Sequence, residues 1–229
     1  MKAKIAAIIP ARGGSKGLPK KNLMEINGKS LIEYSIKTAQ GCSLVSEVFV
    51  SSDDAAILSK ASELGAVPIP RPDKYATDIA SSEEALIHAL EYIETMWDGC
   101  VDILAFLQCT SPLLTSEELS AVIASVARGS AECAFTVCEN HRFLWRPHPI
   151  DGFSGINHDE RRSRQLRQTI THQDYIETGG AYVMNAQLFK EHKSRFFGKI
   201  MGVPVKAPQW EIDDMLDLRI VEAILTHRD

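Results

Sequence analysis

No two cysteines of the 229-residue chain form a Cys-x-x-Cys pair. None of the five, Cys42, Cys100, Cys109, Cys133 and Cys138, joins a His/Cys cluster of zinc-ligand spacing. An odd set without pairing pattern excludes a disulfide scaffold and a structural zinc site, and fits reduced thiols. The sequence has no run of about eighteen apolar residues, and the apolar segment after Met1-Lys2-Ala3-Lys4 is too short for the core of a secretory signal. The expectation is a soluble, cytoplasmic protein without a membrane partner. A broad basic excess is missing too: the formal net charge is -5, which argues against nucleic-acid binding and leaves only local basic clusters for small anions. The near-N-terminal glycine-rich loop also lacks both common nucleotide fingerprints. It has no Gly-Lys-Ser/Thr after a four-residue spacer and no Gly-x-Gly-x-x-Gly.

What is present suffices for a core. Hydrophobic residues make up 45% of the chain, and at this length one domain spanning residues 1–229 is the simplest organisation. Apolar runs of strand length alternate with stretches of helical period. Ile5 to Ile9, Val48 to Ser51, Ile103 to Leu107 and Ala134 to Val137 read as strands. Ser30 to Ala39, with Ser30 as N-cap and Gly41 near the C-cap, reads as a helix, as do Ala55 to Leu64, Glu83 to Trp97, a segment from Ser116, and Ile220 to Leu225. This alternation predicts an α/β, three-layer, Rossmann-like fold with a mostly parallel sheet of about six or seven strands and helices on both faces. Between Glu139 and Tyr175 the periodicity fades, so residues 139–175 are read as a protruding excursion for substrate or dimer contact.

The chain is organised around the loop Arg12-Gly13-Gly14-Ser15-Lys16-Gly17-Leu18-Pro19-Lys20-Lys21-Asn22, which follows the first strand. Its glycines would let the backbone take positive φ and approach a ligand closely, so that amides point at one anion while Arg12, Lys16, Lys20 and Lys21 supply charge. Four cations at the C-terminal end of a strand favour a polyphosphate site over a solvated surface turn. Asp53-Asp54, at another strand end, are read as helix-capping acids ahead of metal ligands. Gln108, with donors and an acceptor, suits the edge of a pyrimidine. If the segment before the last helix is extended, Glu211 and Asp213 face one side, while Asp214 and Asp217 are first-turn acids.

Pro10 to Gly17 together with Lys21-Asn22 closely resembles the signature of the acylneuraminate cytidylyltransferases, the CMP-sialic acid synthetases, and the likeness extends over nearly the whole chain. Arg71-Pro72 and Asp78 to Ser82 resemble a family segment whose serines lie at the cytidine site, which implies nucleotide roles for Arg71, Ser81 and Ser82. Gln108 to Leu113 resembles the family's Gln-x-Thr-Ser-Pro-Leu. The CMP-Kdo synthetases look like Gln-Gly-Asp-Glu-Pro there, where this chain has Thr110-Ser111. Arg167-Gln168 resembles an Arg-Gln pair of the sugar-acid site, a fitting fork for a carboxylate, although Arg164-Gln165 is a second such pair and the register stays open. Tyr175 to Val183 resembles Tyr-x-Glu-Asn-Gly-x-x-Tyr, with Thr178 in place of Asn, and implies a substrate role for Tyr182. Phe196-Phe197 resembles a pair that packs on the N-acyl methyl, and Glu211-x-Asp213 resembles an Asp-x-Asp metal site.

The resemblance implies a nucleotidyltransferase that joins CTP to a sialic-acid-type 2-keto sugar acid, releasing pyrophosphate, with Mg²⁺ as cofactor and a homodimer as the assembly. Arg12, Lys21 and Asp213 would carry the catalysis. Arg12, Gly13, Gly14, Ser15, Lys16, Lys21, Asn22, Arg71, Ser81, Ser82 and Gln108 would hold CTP. Gln108, Arg167, Gln168, Tyr182, Phe196 and Phe197 would hold the sugar acid, and Glu211 and Asp213 the metal. The rivals are a CMP-Kdo or sugar-1-phosphate nucleotidyltransferase and a non-catalytic nucleotide-binding module.

Overall fold

The structure is a computed structural model that describes residues 3–15, 17–148, 150, 152–164, 166, 173–206 and 210–227. In chain order, β1 (Ile5–Pro10) is followed by a small hairpin of β2 (Glu25–Ile26) and β3 (Lys29–Ser30), then α1 (Leu31–Gly41), β4 (Glu47–Ser52), α2 (Ala55–Glu63) and β5 (Val67–Pro70). Next come α3 (Ser82–Trp97), β6 (Ile103–Leu107), α4 (Ser116–Ala127) and β7 (Cys133–Asn140). A second hairpin, β8 (Trp145–His148) with β9 (Gly152–Gly155), precedes β10 (Asp174–Asn185), α5 (Ala186–His192), β11 (Ile200–Pro204) and α6 (Met215–Thr226).

Seven strands form the central sheet in the order β11-β7-β10-β6-β1-β4-β5. Neighbours are parallel except β10, which runs antiparallel to both β6 and β7. The period-two alternation of β1 feeds two cores. Ile5, Ala7 and Ile9 pack with α1, α2, α4 and α6 on one face; Ala6 and Ile8 pack with α3 and α5 on the other. That is the expected three-layer arrangement with a mostly parallel sheet. The chain runs from β1 outward through β4 to β5 and returns to place β6 on the other side of β1. The strand order therefore reverses between β1 and β6, and ligands of open α/β sheets bind outside the carboxyl ends at such a point.

Helix starts follow the capping residues closely. Asp54 accepts from the Ala56 and Ile57 amides, and capping boxes pair Ser81 with Glu84, Thr115 with Glu118 and Asp214 with Asp217. Two details differ from the sequence reading. Ser30 holds the N-cap position of α1 but its hydroxyl makes no cap bond. Gly41 remains helical, and the residue is small because a Cβ there would collide with the Ser116 hydroxyl.

The excursion begins and ends inside the sheet, since the β7–β10 ladder reaches Asn140 and Asp174. Its hairpin carries Trp145 and Phe153 exposed on the surface. Among the described residues no helix is long and apolar enough to cross a membrane.

Candidate active site

The carboxyl ends of β1, β5 and β6 open onto a cavity of about 450 Å³ lined by Arg12, Ser15, Lys21, Asn22, Arg71, Ser81, Ser82, Gln108, Thr110 and Asp213, among others. The sheet thus brings together residues from the two ends of the sequence. Lys21 Nζ donates to the Ile212 carbonyl at 2.8 Å and pairs with Asp213 Oδ1 at 3.1 Å. Asn22 Nδ2 donates to the Arg12 carbonyl at 2.9 Å, which folds the loop back on its own start. Arg12 reaches across the mouth to the Thr77 carbonyl, 3.2 Å, and the Asp78 carboxylate, 3.1 Å. Lys16, Arg167 and Gln168 lie outside the described residues.

Gly13 and Gly14 have φ outside the left-handed range that the sequence reading expected, while Lys20 enters it at 54°. What Gly13 and Gly17 provide is clearance: an added Cβ would lie 2.8 Å from Asp54 Oδ2 at Gly13 and 2.6 Å from the Asp213 carbonyl oxygen at Gly17. Gly14 faces open space. The Gly13 amide donates to Asp53 Oδ1 at 3.0 Å, so of the two acids ending β4, Asp54 caps α2 and Asp53 holds the loop.

At the end of β5 the buried Arg71 donates Nε to Ser51 Oγ at 3.1 Å and a terminal nitrogen to the Ser51 carbonyl. Burial lowers its pKa against the pull of Asp53. Ser81 spends its hydroxyl on the amide of Glu84, 3.2 Å, and Ser82 accepts from Arg195 at 3.1 Å. Cys109, buried, has its thiol pushed up to about 12 chiefly by desolvation and is inert at neutral pH. Thr110 Oγ1 is buried at the cavity without a hydrogen-bond partner, while its carbonyl accepts from the Ile212 amide at 2.9 Å and anchors the segment that carries Asp213.

Beside the cavity stands an aromatic platform. Phe106, a cavity residue, stacks on Tyr182 at 5.4 Å; Tyr182 stacks on Phe135 at 6.5 Å; and the edge of Phe196 meets Phe135 at 5.1 Å. The Tyr182 hydroxyl donates to Glu177, and burial together with that carboxylate raises its pKa. Phe197 departs from the expected pairing with Phe196: it is only 6% exposed, stacks on His192 and belongs to the core under α3 and α5. Thr178, in place of the expected Asn, is buried and bonds Thr136 Oγ1 at 2.6 Å. Gly179, at φ 66°, packs against the Glu211 carboxylate, which a Cβ would strike.

Burial, Asp213 and Glu177, in that order, raise the pKa of Glu211. Asp213 lines the cavity beside Lys21, whereas Glu211 lies against Gly179 and is not among the cavity-lining residues; carboxylate oxygens suit a hard divalent cation, here one that takes its other positions from phosphate and water. Among the described residues no group of three or more His, Cys, Asp or Glu side chains would enclose a metal unaided.

Arg195 is the site residue the sequence reading missed. It lies in the loop between α5 and β11 and puts its guanidinium over the rings of Tyr182, 4.7 Å, and Phe106, 5.3 Å. A lone arginine in a polar loop has no sequence signal of its own. Only its place beside Phe196 pointed this way.

The family model described as "Cytidylyltransferase" matches residues 6–147, which include the loop, the β4 and β6 ends and the α3 start. The chain belongs to the cytidylyltransferase family. An N-acylneuraminate cytidylyltransferase of Escherichia coli is 32% identical over 228 residues, 98% of this chain and 52% of that protein. A pseudaminic acid cytidylyltransferase of Campylobacter jejuni is 30% identical over 95% of this chain and 94% of its own length. The chain therefore spans about half the first relative and nearly all of the second. Among solved structures, CMP:2-keto-3-deoxy-manno-octonic acid synthetase complexed with CTP superposes with a TM-score of 0.72 at 17% identity, covering 99% of this chain and 100% of that one, which establishes the shared fold.

Proposed function

We propose that this cytidylyltransferase-family chain transfers the cytidylyl group of CTP to the anomeric hydroxyl of a sialic-acid-type 2-keto sugar acid and releases pyrophosphate. The observation that carries the reading is the contact of Lys21 with Ile212 and Asp213: the phosphate-loop cation and the C-terminal acid, 192 residues apart, share one corner of the cavity. The names of the relatives supply the sugar-acid class. The orphaned Thr110 hydroxyl and the partly exposed ring of Phe196 are the kind of surface a bound substrate would cover.

In this reading Arg12 and Lys21 neutralise the triphosphate, Asn22 holds the loop's curvature, and Gln108 and the α3 start border the cytidine. The aromatic platform receives the sugar acid next to the α-phosphate, so that positioning and fixed charge lower the barrier. Glu211 and Asp213 would hold Mg²⁺, which when bound would offset phosphate charge and acidify the attacking hydroxyl. Thr110-Ser111, where CMP-Kdo synthetases have Asp-Glu, favours a nine-carbon acid over Kdo. The reading also places the enzyme in the cytoplasm, in keeping with five free cysteines, and as a homodimer through the excursion, whose exposed Trp145 and Phe153 call for cover.

The test is pyrophosphate release from CTP and Mg²⁺ with N-acetylneuraminate, Kdn, legionaminate, pseudaminate and Kdo, beside light scattering at micromolar concentration. Turnover with a nine-carbon acid is expected. Preference for Kdo overturns the substrate class, and no turnover with any acid overturns the activity. A monomer overturns the dimer.

A further inference from the structure

We infer that Arg195 is a positioning residue that ties the nucleotide rim to the sugar-acid platform, so that its loss weakens the binding of both substrates. The inference rests on the proposed function for the identity of the two substrates, and on geometry for the link itself. Arg195 Nε donates to Glu83 Oε1 at 2.7 Å and a terminal nitrogen donates to Ser82 Oγ at 3.1 Å. These two partners are the first residues of α3, and Ser82 lines the nucleotide cavity. The same guanidinium lies over Tyr182 and Phe106, the rings where platform and cavity meet. One planar group therefore holds two surfaces that come from different parts of the chain. Both members of the ion pair are largely buried, with side chains 20% and 19% exposed, so solvent screens the contact little.

A bare structural brace would show differently from a positioning residue. An arginine that only stabilises the fold would lower the melting temperature and leave the Michaelis constants alone. One that holds Ser82 against the cytidine and Tyr182 against the sugar acid changes KM for both while the chemical step proceeds at its usual rate once the substrates are seated. Lysine is a poor replacement, because a point ammonium cannot serve Glu83 and Ser82 together while lying flat on two rings.

The experiment measures kcat, both KM values and the melting temperature for Arg195→Met, Arg195→Lys, Glu83→Gln and Ser82→Ala, with calorimetric Kd for CTP alone. Loss of charge-assisted hydrogen bonds of this kind amounts to about tenfold in affinity. The expected result is a rise of about that size in KM for CTP and for the sugar acid in Arg195→Met, with kcat little changed and no rescue by Arg195→Lys. Ser82→Ala should raise KM for CTP alone, and adding it to Arg195→Met should raise that KM no further. Should Arg195→Met fail to fold, Glu83→Gln, which keeps the arginine but removes the charge that orients its guanidinium between α3 and the rings, must still raise both constants. A change confined to one substrate, or unchanged constants with a lower melting temperature, overturns the inference. If no sugar acid supports turnover, the functional reading has failed; an unchanged Kd for CTP in Arg195→Met then overturns the positioning role separately.

Discussion

The Gly13 amide donates to Asp53 Oδ1 at 3.0 Å, joining the glycine-rich loop to the end of a neighbouring strand across 40 residues of sequence. The bond needs an acceptor more than a charge. Asp53→Asn, which keeps the acceptor oxygen, should therefore leave KM for CTP within about threefold, whereas Asp53→Ala should raise it about tenfold, the usual worth of a hydrogen bond to a charged group. Asp213→Asn should instead abolish Mg²⁺-dependent turnover. Equal losses in Asp53→Asn and Asp213→Asn would show that the metal carboxylate has been assigned to the wrong residue.

Lys21 makes a different kind of contact. Its pair with Asp213 leaves that carboxylate 76% exposed, and so contributes little to stability. Under the proposed function its worth lies in the charge it presents to a triphosphate. Lys21→Ala should cut kcat by about a hundredfold or more, the scale seen when one preorganised electrostatic contact is removed, and leave the melting temperature within a few degrees. Retained turnover would remove the loop from the mechanism.

These two residues mark how far the sequence could be read. Buried parallel strands are continuous apolar runs, so β1 and β6 were visible, and the acids and serines that open helices were visible as caps. The antiparallel β10 was not, because a register shift between Glu177 and Tyr182 breaks its alternation. The loop glycines were legible, but not the clearance that Gly13 and Gly17 give Asp54 and the Asp213 backbone, contacts made only after the chain has folded. Arg195 could not be found in the sequence at all, since its partners Ser82 and Glu83 lie more than a hundred residues away.

The Glu83–Arg195 pair also sets a pH dependence. Burial works to raise the Glu83 pKa, but the hydrogen bond and charge of Arg195 prevail and hold it below the ordinary carboxylate range. A carboxylate lowered on folding adds stability that is present above its unfolded pKa, about 4.3, and is lost as pH falls through the folded value. The melting-temperature gap between wild type and Glu83→Gln should thus be widest at neutral pH and close progressively below about pH 4. A gap that stays constant down to acid pH would show that the pair makes no net electrostatic contribution.

Adjacent phenylalanines separate the platform from the core. Phe196 is 37% exposed, with its edge against Phe135 and Tyr182, whereas Phe197 is 6% exposed and stacked on His192. The two rings enter different surroundings, one beside Phe135 and Tyr182 and the other in the core, so of the two only Phe196 is open to a substrate. Phe196→Ala should raise KM for the sugar acid several-fold and leave both CTP binding and the melting temperature near wild type. Phe197→Ala should cost about 3–5 kcal/mol of stability, the toll of emptying a buried aromatic site, with kinetic constants near normal in whatever fraction stays folded. Thermal melts and substrate titrations of the two variants side by side decide the matter. If Phe197→Ala is the variant that loses sugar-acid affinity at unchanged stability, the ring facing the substrate has been misassigned and the platform must be redrawn around the other phenylalanine.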